Sequence, residues 1–307
     1  MPRSQAVAFA LLACFVGAAP FFLFPVYVMK VLCFALYACA FNLLLGYAGL
    51  LSFGHAAYFG MGSYLSAHAA KVWGFTPELA ILAGALTATG LGAAFGYLAI
   101  RRQGIYFAMI TLALAQMVYF FCVQAPFTGG EDGIQAVPRG ALFGLIDLVP
   151  DFTLYWVVAA VFLAGFLFLY RVVHSPFGQV LKAIRDNEPR AISLGYRSDD
   201  YKLLAFVLSA ALAGVAGGTK AIVFQIATLT DVNWPMSGEA VLMTLLGGIG
   251  TMFGPVVGAL IIVTLQAELA QFGAWVTVIQ GVIFVVCVLA FRRGVIGELQ
   301  RAIRRPL

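Results

Sequence analysis

Charge is what this sequence has least of: lysine, arginine, aspartate and glutamate together make up 10% of its 307 residues. Soluble domains carry about 25%, so a water-facing shell cannot be assembled here and a globular soluble domain is excluded. Histidine is scarce too. There are three, none at ligand spacing to a cysteine, and no Cys-x-x-Cys pair occurs. The five cysteines, Cys14, Cys33, Cys39, Cys122 and Cys287, are scattered through apolar stretches. They read as small helix- or lipid-facing residues, and a disulfide or metal site is the less favoured alternative.

The motifs of catalysis are missing as well. GxSxG, HExxH and GxxxxGK[ST] are all absent, so no hydrolase elbow, zinc-protease helix or phosphate loop is present. Gly214 to Lys220 comes nearest to a phosphate loop but has Thr219 where the second glycine belongs. Gly248-Ile249-Gly250 suggests a dinucleotide fingerprint, yet Gly254 arrives one residue late. The expectation is a protein that is not an enzyme and holds no cofactor, with any ATP bound by other subunits.

What is abundant is apolar surface: 63% of residues are hydrophobic and mean hydropathy is +0.98. The solvent must be the bilayer. A net charge of +5 does not point to nucleic acid, because the basic residues fall in short segments between apolar spans. A membrane crossing needs about 20 apolar residues, and the sequence offers Ala6 to Phe24, Val26 to Leu45, Leu79 to Ile100, Ile105 to Val123, Phe152 to Tyr170, Leu203 to Phe224 and Trp275 to Phe291. The first has Arg3 before it and Gly17-Ala18-Ala19 near its end, the pattern of a cleaved signal, but a second span follows at once.

Two more apolar stretches, Gly46 to Ala70 and Ala240 to Ala270, are interrupted by glycine. They resemble each other: Leu44-Leu45-Gly46-Tyr47-Ala48-Gly49 precedes Phe53-Gly54, and Leu245-Leu246-Gly247-Gly248-Ile249-Gly250 precedes Phe253-Gly254. Paired glycine-broken segments in two halves point to a transporter built from a repeat, with the pathway at the repeat interface; chance likeness is the alternative. The expected fold is an all-α polytopic transmembrane bundle of about eight to ten spans, a single permease domain over residues 1–307. Glycines at four-residue spacing (Gly92 and Gly96; Gly214 and Gly218; Gly250, Gly254 and Gly258) predict close helix packing, either within the bundle or at a subunit interface.

Orientation follows lysine and arginine. Arg101, Arg102, Lys182, Arg185, Arg190 and Arg197 mark cytoplasmic turns, whereas Gln124 to Asp151 holds Arg139 beside Glu131, Asp132, Asp147 and Asp151 and is expected outside. The tail, with Arg292, Arg293, Arg301, Arg304 and Arg305, also reads as cytoplasmic. Simple crossings from the 174–201 loop leave it on the wrong side, so either Ala240 to Ala270 is re-entrant or Gly217-Gly218 splits its span. Re-entry is the favoured reading.

The 174–201 loop is polar with an amphipathic rhythm: Val180, Leu181, Ile184, Ile192 and Leu194 form its apolar positions. Pro189 interrupts it, and Gly195 suits a left-handed helix end. Here the chain resembles a known family. Gly178, Arg185-Asp186-Asn187-Glu188, Ala191 and Gly195 are similar to the coupling loop of bacterial branched-chain amino acid ABC importer permeases of the LivM type. Gly46-Tyr47-Ala48-Gly49 to Ala57, Gly60 to Tyr64, Gly104 to Ala108 with Thr111-Leu112, Thr128-Gly129-Gly130 with Asp132-Gly133, and Gly247 to Gly254 extend the likeness along nearly the whole chain. Pro189 departs from the alanine common in related loops, and Lys220 near the outer end of a span is a second departure.

The resemblance implies a multi-pass subunit of the bacterial inner membrane that pairs with a homologous second permease, two cytoplasmic ATPase subunits and a periplasmic substrate-binding protein. It implies that the loop residues seat against the ATPase. Candidate pathway residues are the intramembrane polar groups Asn42, Ser52, His55, Thr111, Gln116, Glu239 and Thr244. His55 could instead bond a neighbouring carbonyl, and Glu239 could be a loop carboxylate at the outer mouth. The same permease type moving urea or short amides stays open. An ion-coupled secondary transporter predicts a buried charge relay, but only Lys30, Lys220 and Glu268 lie within or beside spans, all near ends. A membrane enzyme or anchor predicts clustered catalytic groups or a soluble domain, and neither is evident.

Overall fold

The computed structural model describes residues 3–273, 275, 278, 279, 281, 282, 285 and 294–303. It is an all-α bundle. Helices α1 (Arg3–Phe22), α2 (Pro25–Asn42), α3 (His55–Lys71), α4 (Pro77–Ala99), α5 (Ile105–Gln124) and α6 (Asp151–His174) are followed by α7 (Pro176–Asp186), α8 (Glu188–Ser193) and α9 (Ser198–Phe224). After α10 (Leu229–Val232), α11 (Trp234–Gly247) and α12 (Gly254–Leu269) comes α13 (Gly294–Ile303). Prolines start many of these helices: Pro25, Pro77, Pro176, Pro189, Pro235 and Pro255 sit in first turns, where the missing N–H costs nothing and the fixed φ already suits a helix.

Pro25–Ala48, Pro77–Ala99, Ile105–Gln124, Asp151–His174 and Ser198–Phe224 are long and apolar enough to cross a membrane, with Phe9–Phe22 and Gly254–Leu269 shorter and apolar. The chain is a multi-pass membrane protein. The expected span Trp275 to Phe291, Cys287, and Arg292, Arg293, Arg304 and Arg305 of the tail lie largely or wholly outside the described residues.

The centre of the bundle is α2, buried from Val28 to Asn42 apart from Lys30 and packed against α6, α9, α11 and α12. A second tight layer joins α3, α4 and α9. The glycines make that layer possible. A methyl at Gly62 would lie 2.6 Å from the Gly214 backbone, and one at Gly96 3.0 Å from Phe206. The four-residue glycine faces on α4 and α9 therefore serve contacts inside the chain. Gly217 and Gly218 do not split α9, which runs unbroken.

Both glycine-interrupted stretches are helix–break–helix. The last turn of α2 widens into a π-helix, Leu43–Ala48, and the chain turns at Gly49 before α3 begins at His55. In the second half it turns at Gly250 before α12 begins at Gly254. Gly49 and Gly250, the last glycines of the two matching motifs, have φ of 73° and 71°, a left-handed conformation that side chains resist. The first amide of each following segment is held alike: Gly54 N donates to Ser52 Oγ (3.2 Å) and Gly254 N to Thr251 Oγ1 (3.1 Å). The sequence likeness is thus a likeness of local structure.

The break between α11 and α12 also shows where that stretch turns. It meets the first break and Arg185 of α7, so it lies at the end of the bundle that carries α7, Arg101 and Arg102. Helices α11 and α12 descend to that basic end and return, and α13 then packs on both with Gly294 against Gly248. At the opposite, acidic end, a two-residue ladder pairs Ile134 with Ala227, and Arg139 bridges Asp151 Oδ1 (2.6 Å) and the Val223 carbonyl (3.2 Å).

Candidate functional site

The loop 174–201 folds into α7 and α8. Ser175 caps α7 by accepting from Gly178 N, and Gly178 itself lies against the Val173 backbone with no room for a methyl. The interruption falls at Asn187, whose backbone is extended (φ −159°, ψ 91°) and whose side chain caps α8 through Arg190 N (3.0 Å). Pro189 is therefore a helix starter and not the break itself. Helix α8 closes with Tyr196 N donating to Ala191 O (3.2 Å) and Gly195 N to Ile192 O (2.9 Å). Gly195 has φ 89°, so the expected left-handed end is present as a Schellman motif.

The apolar positions of this segment split between two faces. Leu181, Ile184 and Ala191 are buried against the bundle, whereas Ile192 is 54% and Leu194 70% exposed. The charged residues divide too. Glu188 accepts from Lys202 Nζ at 2.5 Å, with side chains 17% and 4% exposed, and from Gln103 Nε2 at 2.8 Å. It clamps α8 to α9 and to the α4–α5 turn. Arg185 pairs with the exposed Asp186 at 3.0 Å while its Nη1 donates to the Gly46 carbonyl. A Cβ on Gly49 would touch Arg185 Cγ at 2.8 Å, and one on Gly250 would lie 3.5 Å from Nη1. One guanidinium thus touches both breaks. Lys182 sits 5.5 Å over the Tyr47 ring, and burial, with Arg185 adjacent, lowers its pKa from the ordinary lysine value. Between this segment and the first break lies a cleft of about 410 Å³ lined by Gly49, Gln103, Gly104, Asp186 and Lys202 among others.

Asn42 joins the breaks from the other side. Its Oδ1 accepts from Gly250 N (3.0 Å) and its Nδ2 donates to Thr251 O (2.9 Å). Thr244 is buried and bonds its own helix at Ala240 O (2.8 Å), with Ala38 O at 3.4 Å. Ser52, His55 and Thr111 gather at the first break, where Thr111 Oγ1 accepts from Phe53 N (3.1 Å). His55 has no exposed surface. It bonds Ser209 Oγ at 2.8 Å, which in turn donates to Ala40 O, and Phe41, Tyr58 and Phe206 present ring contacts at 4.9, 5.6 and 6.1 Å. Gln116 on α5 and Glu239 on α11 are half-buried and stand apart from this cluster.

Sequence reasoning missed Asp231. Lys220 Nζ meets Asp231 Oδ2 at 2.7 Å with side chains 11% and 3% exposed, and the same carboxylate accepts from Thr228 N (3.2 Å), Thr228 Oγ1 (3.3 Å) and Ser63 Oγ (3.5 Å). The signal was an unexplained lysine followed eleven residues on by an aspartate, across the chain reversal into α10. Among the described residues, no cluster suited to a metal ion occurs.

A family model described as "Branched-chain amino acid transport system / permease component" matches residues 26–288. The high-affinity branched-chain amino acid transport system permease protein LivM of Escherichia coli K12 is 25% identical over 278 residues, 83% of this chain and 65% of that one. LivH of Salmonella typhimurium LT2, the permease protein of a high-affinity branched-chain amino acid transport system, is 23% identical over 86% of this chain and 91% of its own. The autoinducer 2 import system permease protein LsrC of Klebsiella pneumoniae is 28% identical over 66% of this chain and 60% of its own. The chain spans about two thirds of the length of LivM (65%). No solved structure matches. With most of its length covered by one family model and its two glycine breaks inside the matched region, the chain belongs to the branched-chain amino acid transport system permease component family.

Proposed function

We propose that the chain is the membrane-spanning permease subunit of an ATP-driven importer for branched-chain or related amino acids in the bacterial inner membrane. The observation that carries the reading is Arg185, which ties α7 to the meeting point of both breaks. On this reading the basic end is cytoplasmic. The exposed Ile192 and Leu194 face seats in one of two separate ATPase subunits, and α7 passes the resulting motion to the breaks through Arg185. A homologous second permease completes the pathway and a periplasmic binding protein delivers cargo. Movement of a preassembled unit between inward- and outward-facing states suits a site at a repeat interface.

Among the loop residues, Ala191 and Gly178 set the fit of the segment on the bundle, Asn187 and Gly195 set its two ends, and Glu188 faces inward. Substituting Glu188 therefore disturbs the clamp to Lys202 before it disturbs docking, and the exposed face gives the cleaner test. Ile192→Asp with Leu194→Asp should abolish ATP-dependent uptake while the protein still inserts; Arg185→Ala should leave ATPase assembly intact but uncouple hydrolysis from uptake. Normal accumulation of solute by both would discard the coupling assignment, and uptake in liposomes without any ATPase would discard the importer reading in favour of an ion-coupled carrier. Binding of radiolabelled leucine or urea by the partner receptor distinguishes amino acids from small amides.

A further inference from the structure

The outward faces of α4 and α5 are apolar: Leu82, Leu86, Met109, Met117 and Phe120 are all exposed there, as lipid contact requires. The face made by α2, α11 and α12 is different. Lys30 lies in the second turn of α2, Glu239 in the second turn of α11 and Gln266 in the last turn of α12. Tyr27, one turn before Lys30, meets Thr264 Oγ1, two residues before Gln266, at 2.6 Å, so these turns of α2 and α12 lie side by side, about 5–8 Å from the helix ends at the acidic end of the bundle. All three are half-buried. Helices α2, α11 and α12 pack on one another there, and Glu239 bonds Gln266 and feels the charges of Lys30 and Asp231. One charge of each sign beside an amide, on a face unlike the apolar faces of α4 and α5, suits contact with water or protein rather than with lipid.

We propose that Lys30, Glu239 and Gln266 form a binding rung of the translocation pathway for zwitterionic solutes, Glu239 receiving an α-ammonium group and Lys30 an α-carboxylate. Gln266 holds Glu239 in place when the rung is empty. The proposal rests on the permease reading above and narrows its cargo class: solutes carrying both charges are passed, and neutral solutes such as urea gain nothing from the rung. It also adds to Glu239 two residues that were not among the candidate pathway residues.

The test places Lys30→Met, Glu239→Gln and the double variant at the gene's own locus, so that the chain keeps its partners, and measures initial uptake of radiolabelled leucine and urea at matched membrane levels. Each single change should lower leucine uptake about tenfold, the factor given by 1.4 kcal/mol of lost interaction, and the double variant should be no better. The double variant leaves no unpaired charge, so it accumulates even where a single variant does not. Leucine uptake at the wild-type rate in the double variant overturns the inference, because recovery on removing both charges is the mark of an internal ion pair and not of a ligand site. Wild-type uptake of urea without leucine overturns it while leaving the permease reading intact; ATP-independent uptake by the wild type overturns the permease reading itself.

Discussion

Replacing Lys220 by methionine removes one half of the buried pair with Asp231 and leaves the carboxylate inside the bundle. Breaking such a pair typically costs about 3–5 kcal/mol, because the surviving charge has lost its counter-ion but not its desolvation. Here Asp231 keeps hydrogen bonds from Thr228 N, Thr228 Oγ1 and Ser63 Oγ at 3.2, 3.3 and 3.5 Å. The loss therefore belongs at the lower end, about 3 kcal/mol. Asp231→Asn keeps an acceptor for Thr228 N, and with it the start of α10, but strands the ammonium 6.0 Å over the Phe224 ring without a counter-ion; a similar loss is expected. The double variant Lys220→Met/Asp231→Asn holds no buried charge and should recover about 2–3 kcal/mol of the summed loss. Unfolding of the detergent-solubilised protein by SDS, read as midpoint and slope for all four forms, closes the cycle. Strictly additive losses would refute the claim that the two side chains stabilise each other, and a Lys220→Met variant as stable as wild type would refute the claim that the buried carboxylate needs its counter-ion.

Three further outcomes follow from the packing. Gly49→Ala and Gly250→Ala should each destabilise by about 1–2 kcal/mol from the left-handed backbone alone, and by more at Gly49, where the methyl meets Arg185 Cγ; SDS titration reads the stability, and wild-type stability of either variant would contradict the shared left-handed turn. Gly217→Ala sets a methyl 2.8 Å from the Phe59 carbonyl carbon and should cost about 1–3 kcal/mol by overpacking α3 against α9, visible as a broadened size-exclusion profile. Lys202→Met should strip Glu188 of its closest partner and raise proteolysis at the α7–α8 segment, an effect absent if Gln103 alone holds that carboxylate.

The spans were legible because an apolar run of membrane length admits almost no other reading. The breaks were legible because glycine pairs inside such runs leave backbone groups that something else must satisfy. What satisfies them was not: Asn42 looks in the sequence like any polar residue in a span, and its bonds to Gly250 and Thr251 join positions more than two hundred residues apart. Partners outside α7 and α8 likewise hide the inward turn of Arg185 and Glu188, which amphipathic rhythm alone places on a solvated helix face. His55 shows the converse. Its position in a broken segment suggested contact with cargo, and only its aromatic enclosure and its bond to Ser209 reveal how completely the bundle surrounds it. The α11–α12 stretch proved to be two helices meeting at a turn, which the lysine and arginine count does not reveal, since it cannot tell a single passage from a return trip.

The two halves share a shape at their breaks but not the means of joining. Asn42 reaches across to clasp the backbone of the second break, while the position that answers it, four residues before Gly247, is Met243, which can offer nothing in return. The clasp is one-handed. The two like turns form a lock with a single key, so that exchanging Asn42 with Met243 would keep the composition of the chain and still leave the junction unfastened.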